Sequence, residues 1–154
     1  MPSRAFHASS NVPALVAGVT LAFVLAFVLA LGGCAETPEP PMPFKAVPVE
    51  RILLPAYTQP GDGLVAVDVR RERTGNVIVR FRDAPVYVDG QRVTDLMNGE
   101  HVVFYLSPGV HRIGVSTQFD PLVEIRFAVD PRYTNRASVA FGKDHRILIR
   151  RVAQ

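Results

Sequence analysis

The sequence predicts an all-β fold, a small antiparallel β-sandwich of about eight short strands, after an apolar N-terminal signal helix and a proline-rich linker. Three observations predict it. Apolar residues alternate with polar ones in several short runs from Glu50 onward. Turn residues such as Asp89-Gly90 and Pro108-Gly109 punctuate those runs. No stretch after Cys34 keeps a 3.6-residue apolar period for three turns, so helix has little place in the folded part.

The first element is apolar throughout. Eighteen residues from Ala14 to Leu31 carry no charge, and Arg4 is the one charged side chain among residues 1–33. That length lies between a secretory signal core and a membrane-spanning helix. Leu31-Gly32-Gly33-Cys34 follows it directly, and Cys34 is the single cysteine of the 154-residue chain. The alternative to a secretory signal is an uncleaved single-pass anchor. With no second Cys for an intrachain disulfide, the folded part depends on its apolar core.

Residues 35–49 hold Pro38, Pro40, Pro41, Pro43 and Pro48. Proline fixes φ and removes a backbone donor, so this run is expected as an extended polyproline II spacer, at about 3.1 Å per residue. Such runs also serve as ligands for SH3-type domains, but directly after Cys34 a stand-off tether is the expected role. The domain boundaries that follow are an apolar segment at 1–33, Cys34 with a tether at 34–49, and a β-domain at 50–154; the lipobox resemblance described below implies that the first is a signal peptide and that Cys34 is lipidated.

Within the β-domain, Val65, Val67 and Val69 mark one strand, and Val77, Val79 and Phe81 a second, with Arg80 and Arg82 on its polar side. Val86 to Val93 is expected as a hairpin about Asp89-Gly90, whose type I′ turn needs positive φ at both central residues. In that register Val86 faces Val93 and Tyr87 faces Arg92. A second hairpin is expected from Glu100 to Ser116 across Ser107-Pro108-Gly109, with Val102, Phe104, Leu106, Ile113 and Val115 inward. A third pairs 122–129 with 137–141, and residues 146–152 form the last strand.

Composition narrows the function classes. After residue 33 there are 16 Lys and Arg against 14 Asp and Glu, too even a balance for a nucleic-acid surface. His101 and His111 are expected on opposite strand faces, with His111 capping a turn, so no metal or cofactor site is expected. His145 beside Asp144 reads as a solvated loop. Ser107, His111 and Asp89 are the residue types of a nucleophilic triad, but Ser107 lacks a glycine-flanked elbow and no oxyanion hole is indicated, so no catalytic residues are expected. Gly61-Asp62-Gly63 lacks the third glycine and helix of a phosphate loop and reads as a turn. Arg70, Arg71, Arg73, Arg80 and Arg82 gather about one expected hairpin tip, a candidate anion-binding group. A solvated, aggregation-resistant strand face is the competing reading.

Two resemblances add to this. Leu31-Gly32-Gly33-Cys34 resembles the lipobox of bacterial lipoproteins, with Gly32 where Ala or Ser is commoner. The resemblance implies export, thioether lipidation of Cys34, usually N-acylation with a palmitate-type chain, and cleavage before Cys34. Ala35, rather than Asp, follows the Cys, which implies the outer membrane with the domain in the periplasm. The run VYVDGQRVTDLMNGEHVVFYLSPGVHRIGV, Val86 to Val115, resembles the core of small β-sandwich domains of the PEGA and DUF2846 groups found in bacterial lipoproteins. That likeness implies fold alone. The expectation is a non-enzymatic envelope lipoprotein whose β-domain binds an envelope protein or glycan. The alternatives are an accessory subunit of a secretion or efflux assembly, or a small periplasmic hydrolase.

Overall fold

The computed structural model describes residues 42–152; the signal segment, Leu31, Gly32, Gly33, Cys34 and the tether to residue 41 lie outside them. The described residues form two sheets, one of five strands and one of four. The first sheet has the order β1 (Lys45–Ala46), β5 (Glu100–Leu106), β2 (Val65–Arg71), β8 (Arg136–Phe141) and β9 (Ile147–Arg151). The second has β4 (Gln91–Leu96), β3 (Ala84–Val88), β6 (Gly109–Val115) and β7 (Val123–Val129). The all-β sandwich expected from the alternation is the fold observed.

Period two explains which residues make the core. Val67 and Val69 on β2, Val102, Phe104 and Leu106 on β5, and Val139 on β8 are buried on the inner face of the first sheet. Val86, Val88, Ile113, Val115 and Phe127 face them from the second. Each fully buried aliphatic or aromatic side chain contributes roughly 1.5–3 kcal/mol, and these residues join one continuous cluster.

The Asp89-Gly90 hairpin forms as its residue types require, with φ of 50° and 83°. Tyr87 faces Arg92, but a bulge then places Val86 opposite Thr94 rather than Val93. Both Val93 and Thr94 are buried in consequence. The Val93 carbonyl accepts the Leu53 N–H at 2.7 Å, and the Thr94 hydroxyl donates to the Arg51 carbonyl at 3.0 Å.

Two expected hairpins are replaced by other pairings. β5 pairs with β2 and β1, while β6 pairs with β3 and β7, so Ser107-Pro108 carries the chain from one sheet to the other. The reason is local. Pro108 is held at negative φ, which a two-residue type I′ hairpin allows at neither central position. The inward residues of β5 and β6 are those expected, yet they meet across the core instead of side by side. Likewise β7 pairs with β6, and β8 with β9 and β2, so 122–129 and 137–141 belong to different sheets.

The expected strand at 77–82 is a set of turns. Asn76 accepts the Ile78 N–H on its side-chain oxygen, and its carbonyl accepts Arg80 N–H at 3.0 Å. Such side-chain-to-backbone bonds compete with a ladder. Val79 alone turns inward, while Val77, Ile78 and Phe81 are exposed.

The boundary expected at Glu50 also moves. Residues 42–49 belong to the folded unit, which begins at Met42. Lys45–Ala46 adds a parallel edge strand to β5, and a 3-10 turn at Val49–Arg51 leads Ile52 and Leu54 onto the core. Prolines at 43 and 48 flank the two-residue strand rather than interrupt it, as an edge position allows.

Arg71 continues the inward series of Val67 and Val69 and is fully buried. Its guanidinium donates to the carbonyls of Arg82, Leu96 (2.7 Å) and Val79 (2.9 Å) and lies 5.2 Å from the Phe141 ring centre. Burial pushes its pKa below the ordinary value, while Asp83 and Glu100 push it back up. Arg71→Met removes these donors and leaves three acceptors unpaired, so unfolding free energy in urea should fall by about 3–5 kcal/mol. Arg71→Lys should recover part of the loss, because an ammonium lacks the planar fork. A Met variant as stable as the parent would show that the carbonyls find other donors.

Candidate functional site

Chemistry-bearing side chains gather in two places. The first is the Asp89-Gly90 turn. Its left-handed backbone turns Asp89 toward β6, where Oδ1 accepts the Arg112 N–H at 2.8 Å and Oδ2 lies 2.8 Å from His111 Nδ1. His111 Nε2 lies 2.9 Å from the Ser107 carbonyl and 3.5 Å from the Ser107 hydroxyl. Ser107, His111 and Asp89 are thus brought together, in the order of a triad. The geometry is that of a clamp. Nε2 has its shorter contact with a carbonyl oxygen, which can only accept, so in that contact the nitrogen that a triad needs as base is the donor.

The second place is the outer face of the first sheet. Asp68 Oδ2 accepts Arg70 Nε at 2.6 Å and lies 3.4 Å from Arg136 Nε, while Oδ1 lies 3.0 Å from His101 Nδ1. Arg70 stands between His101 and Ser138 in the strand register. His101 and His111 therefore lie in different sheets and share no ligand position. Among the described residues, no group of three or more His, Cys, Asp or Glu is placed to hold a metal ion. His145 has positive φ and contacts Asn76 Nδ2 through Nε2 at 3.1 Å, tying the β8–β9 turn to the 72–83 loop.

The five arginines expected to share an anion do not converge. Arg70 is paired with Asp68 on the outer face, and Arg71 lies in the core. Arg73 donates to the Met42 and Pro43 carbonyls at 2.6 Å each. Arg82 donates to the His145 carbonyl and stacks 4.7 Å from the Phe119 ring centre. Arg80 lies over the exposed Phe81 ring. For Arg71 the anion-binding expectation is corrected outright, since its terminal nitrogens are taken up by backbone carbonyls. Counting in twos from Val67 would have placed it inside.

A shallow depression of about 270 Å³ beside β1 is lined by Ala46, Val47, Val49, Ile52 and His101. It is apolar apart from His101 and Thr58, and it brings no acid–base pair together. No family model, curated protein or solved structure matches the chain.

The Asp89 clamp has a pH signature. Partial burial raises the carboxyl pKa, but the Arg112 N–H, the His111 hydrogen bond and both neighbouring charges more than offset this, so it lies below the ordinary value. A carboxylate more acidic in the folded state stabilises fully above its unfolded pKa of about 3.9, and the contribution disappears as pH falls through the folded value. Asp89→Asn keeps a residue that tolerates positive φ but removes the charge. At neutral pH it should lower stability by about 1 kcal/mol, the size of one partly exposed clamp. Melting curves of parent and variant should converge as pH falls from the unfolded pKa through the lower folded one; a gap independent of pH would rule the charge out.

Proposed function

We propose that this chain is a bacterial envelope lipoprotein, lipidated on Cys34 and held on the outer membrane, whose β-sandwich has a non-enzymatic binding or structural role. One observation carries the reading: Leu31-Gly32-Gly33-Cys34 stands directly after an uncharged apolar run, and it contains the chain's single cysteine. Two or three acyl chains, at about 0.8 kcal/mol per buried methylene, make release from the bilayer negligible. The start of the folded unit at Met42 supports a short stand-off, because the eight residue steps from Cys34 to Met42 reach at most about 29 Å. The domain's partner is an envelope protein or glycan. Its surface carries Arg-rich faces, and its functional polar groups are engaged in clamping loops to sheets.

A small hydrolase is the second reading, favoured by the Ser107–His111–Asp89 contact alone. It requires His111 to leave the Ser107 carbonyl. His111→Ala would then abolish hydrolysis of ester probes while leaving the fold intact.

The mass of the mature N-terminus, from the native host and from a Cys34→Ser variant, tests the main reading. A diacylglyceryl-modified peptide beginning at Cys34, lost in the variant, is expected. An intact N-terminus beginning upstream of Ala14 in the membrane fraction would replace the lipoprotein with a single-pass anchor.

A further inference from the structure

The loop between β2 and β3, residues 72–83, presents large apolar side chains to solvent while its backbone is held from inside. Val77 is 68% exposed, Ile78 55% and Phe81 74%. The Val79 and Arg82 carbonyls are gripped by the buried Arg71 guanidinium, and Asn76 caps the Ile78 N–H. These side chains therefore project from a pre-formed turn. Met97, on the β4–β5 link, is 48% exposed and lines a depression of about 290 Å³ with Arg80, Phe81, Arg82 and Asn98. Monomeric domains rarely leave adjoining large apolar residues in water without a surface to cover them.

What surrounds this apolar tip points to its occupant. Arg73, Arg80 and Arg82 rise from the loop, and Lys143 and Arg146 lie on the β8–β9 turn bound to it through Arg82 and Asn76. Glu72, Asp83, Asp120 and Asp144 stand against these five cations, which leaves the rim one positive charge in excess. Arg80 lies 4.7 Å from the Phe81 ring centre, an arrangement in which a ring sinks while its guanidinium stays at the headgroups. The chain's own connectivity supplies the third argument. Arg73 holds the Met42 and Pro43 carbonyls, so the folded unit begins at the same end as this loop. From Cys34 to Met42 there are eight residue steps, a reach of at most about 29 Å.

We propose that this end of the sandwich docks on a lipid bilayer containing anionic phospholipid, with Val77, Ile78 and Phe81 seated among the acyl chains and Arg80 at the phosphates. The proposal rests on the Cys34 anchor and gives it a consequence: the domain sits on the bilayer in one orientation. The Ser107–Val110 end, a β5 length away, then points outward, about 20 Å further from the membrane.

The test uses the anchored protein in vesicles of phosphatidylethanolamine, with or without phosphatidylglycerol. Ile78→Cys and Val110→Cys, both at exposed positions, each receive an environment-sensitive fluorophore, since a Cys34 in thioether linkage to diacylglyceryl offers no thiol. The expected result is a blue shift and several-fold protection from iodide at position 78, stronger with phosphatidylglycerol, and neither at position 110. Equal aqueous quenching at both positions in protein whose N-terminal mass shows diacylglyceryl on Cys34 overturns the docking and leaves the anchor standing. A preparation whose mass shows Cys34 without diacylglyceryl overturns the anchor, and the docking with it.

Discussion

Three backbone carbonyls converge where the end of β4, the 72–83 loop and the top of β2 meet, and they share one donor group. Placing the Arg71 guanidinium there costs desolvation, which its lowered pKa registers, and its Nε meets no acceptor among the described residues. In return the carbonyls of Val79, Arg82 and Leu96 are satisfied in a position water does not reach. A buried acceptor left alone costs about 1–3 kcal/mol, so the site holds only as a set. The two sheets are joined there by polar contact as well as by the valine-rich core.

The same device recurs at the edges. Arg51 reaches the Asp95 carbonyl and the Glu100 carboxylate, and Glu100 in turn accepts the Met97 N–H at 2.9 Å. Arg151 holds the Ala128 carbonyl of β7 from β9 in the opposite sheet. A two-sheet domain without a disulfide has irregular links whose carbonyls lack ladder partners, and a five-donor fork satisfies several at once. The abundance of arginine over lysine thus acquires a structural use. Gly99 belongs to this scheme, since its φ of 77° and its contact with the Arg73 side chain both exclude a Cβ.

The Asp89 turn shows how a constellation of catalytic residue types arises from folding needs. An Asp at the first position of a type I′ turn tolerates the left-handed backbone, and its carboxylate then meets the nearest donors on β6. His111 bridges from that carboxylate to the Ser107 carbonyl, fastening the sheet-crossing link to the hairpin. The outcome is a polar seam along one edge of the sandwich.

The sequence by itself determined the fold class, the inward residues of β2, β5 and β6, the Asp89-Gly90 turn and the terminal strand, because alternation and turn chemistry act within a few residues. The proposed anchor, too, is read entirely from sequence, in residues outside those described. Tertiary structure alone decided which strands pair. Alternation reports a face and not a neighbour, so β5 and β6 looked like a hairpin until Pro108 sent them to separate sheets. It also decided the fate of 77–82, where the alternation of Val77, Val79 and Phe81 gave way to Asn76 capping and to the carbonyl demand of Arg71, and Val79 alone stayed inside. The convergence of Ser107, His111 and Asp89, and the burial of an arginine, depend on contacts between residues far apart in the chain. No local period encodes those contacts; counting in twos from Val67 would have put Arg71 on the inner face, but its residue type set it with the candidate anion-binding group instead.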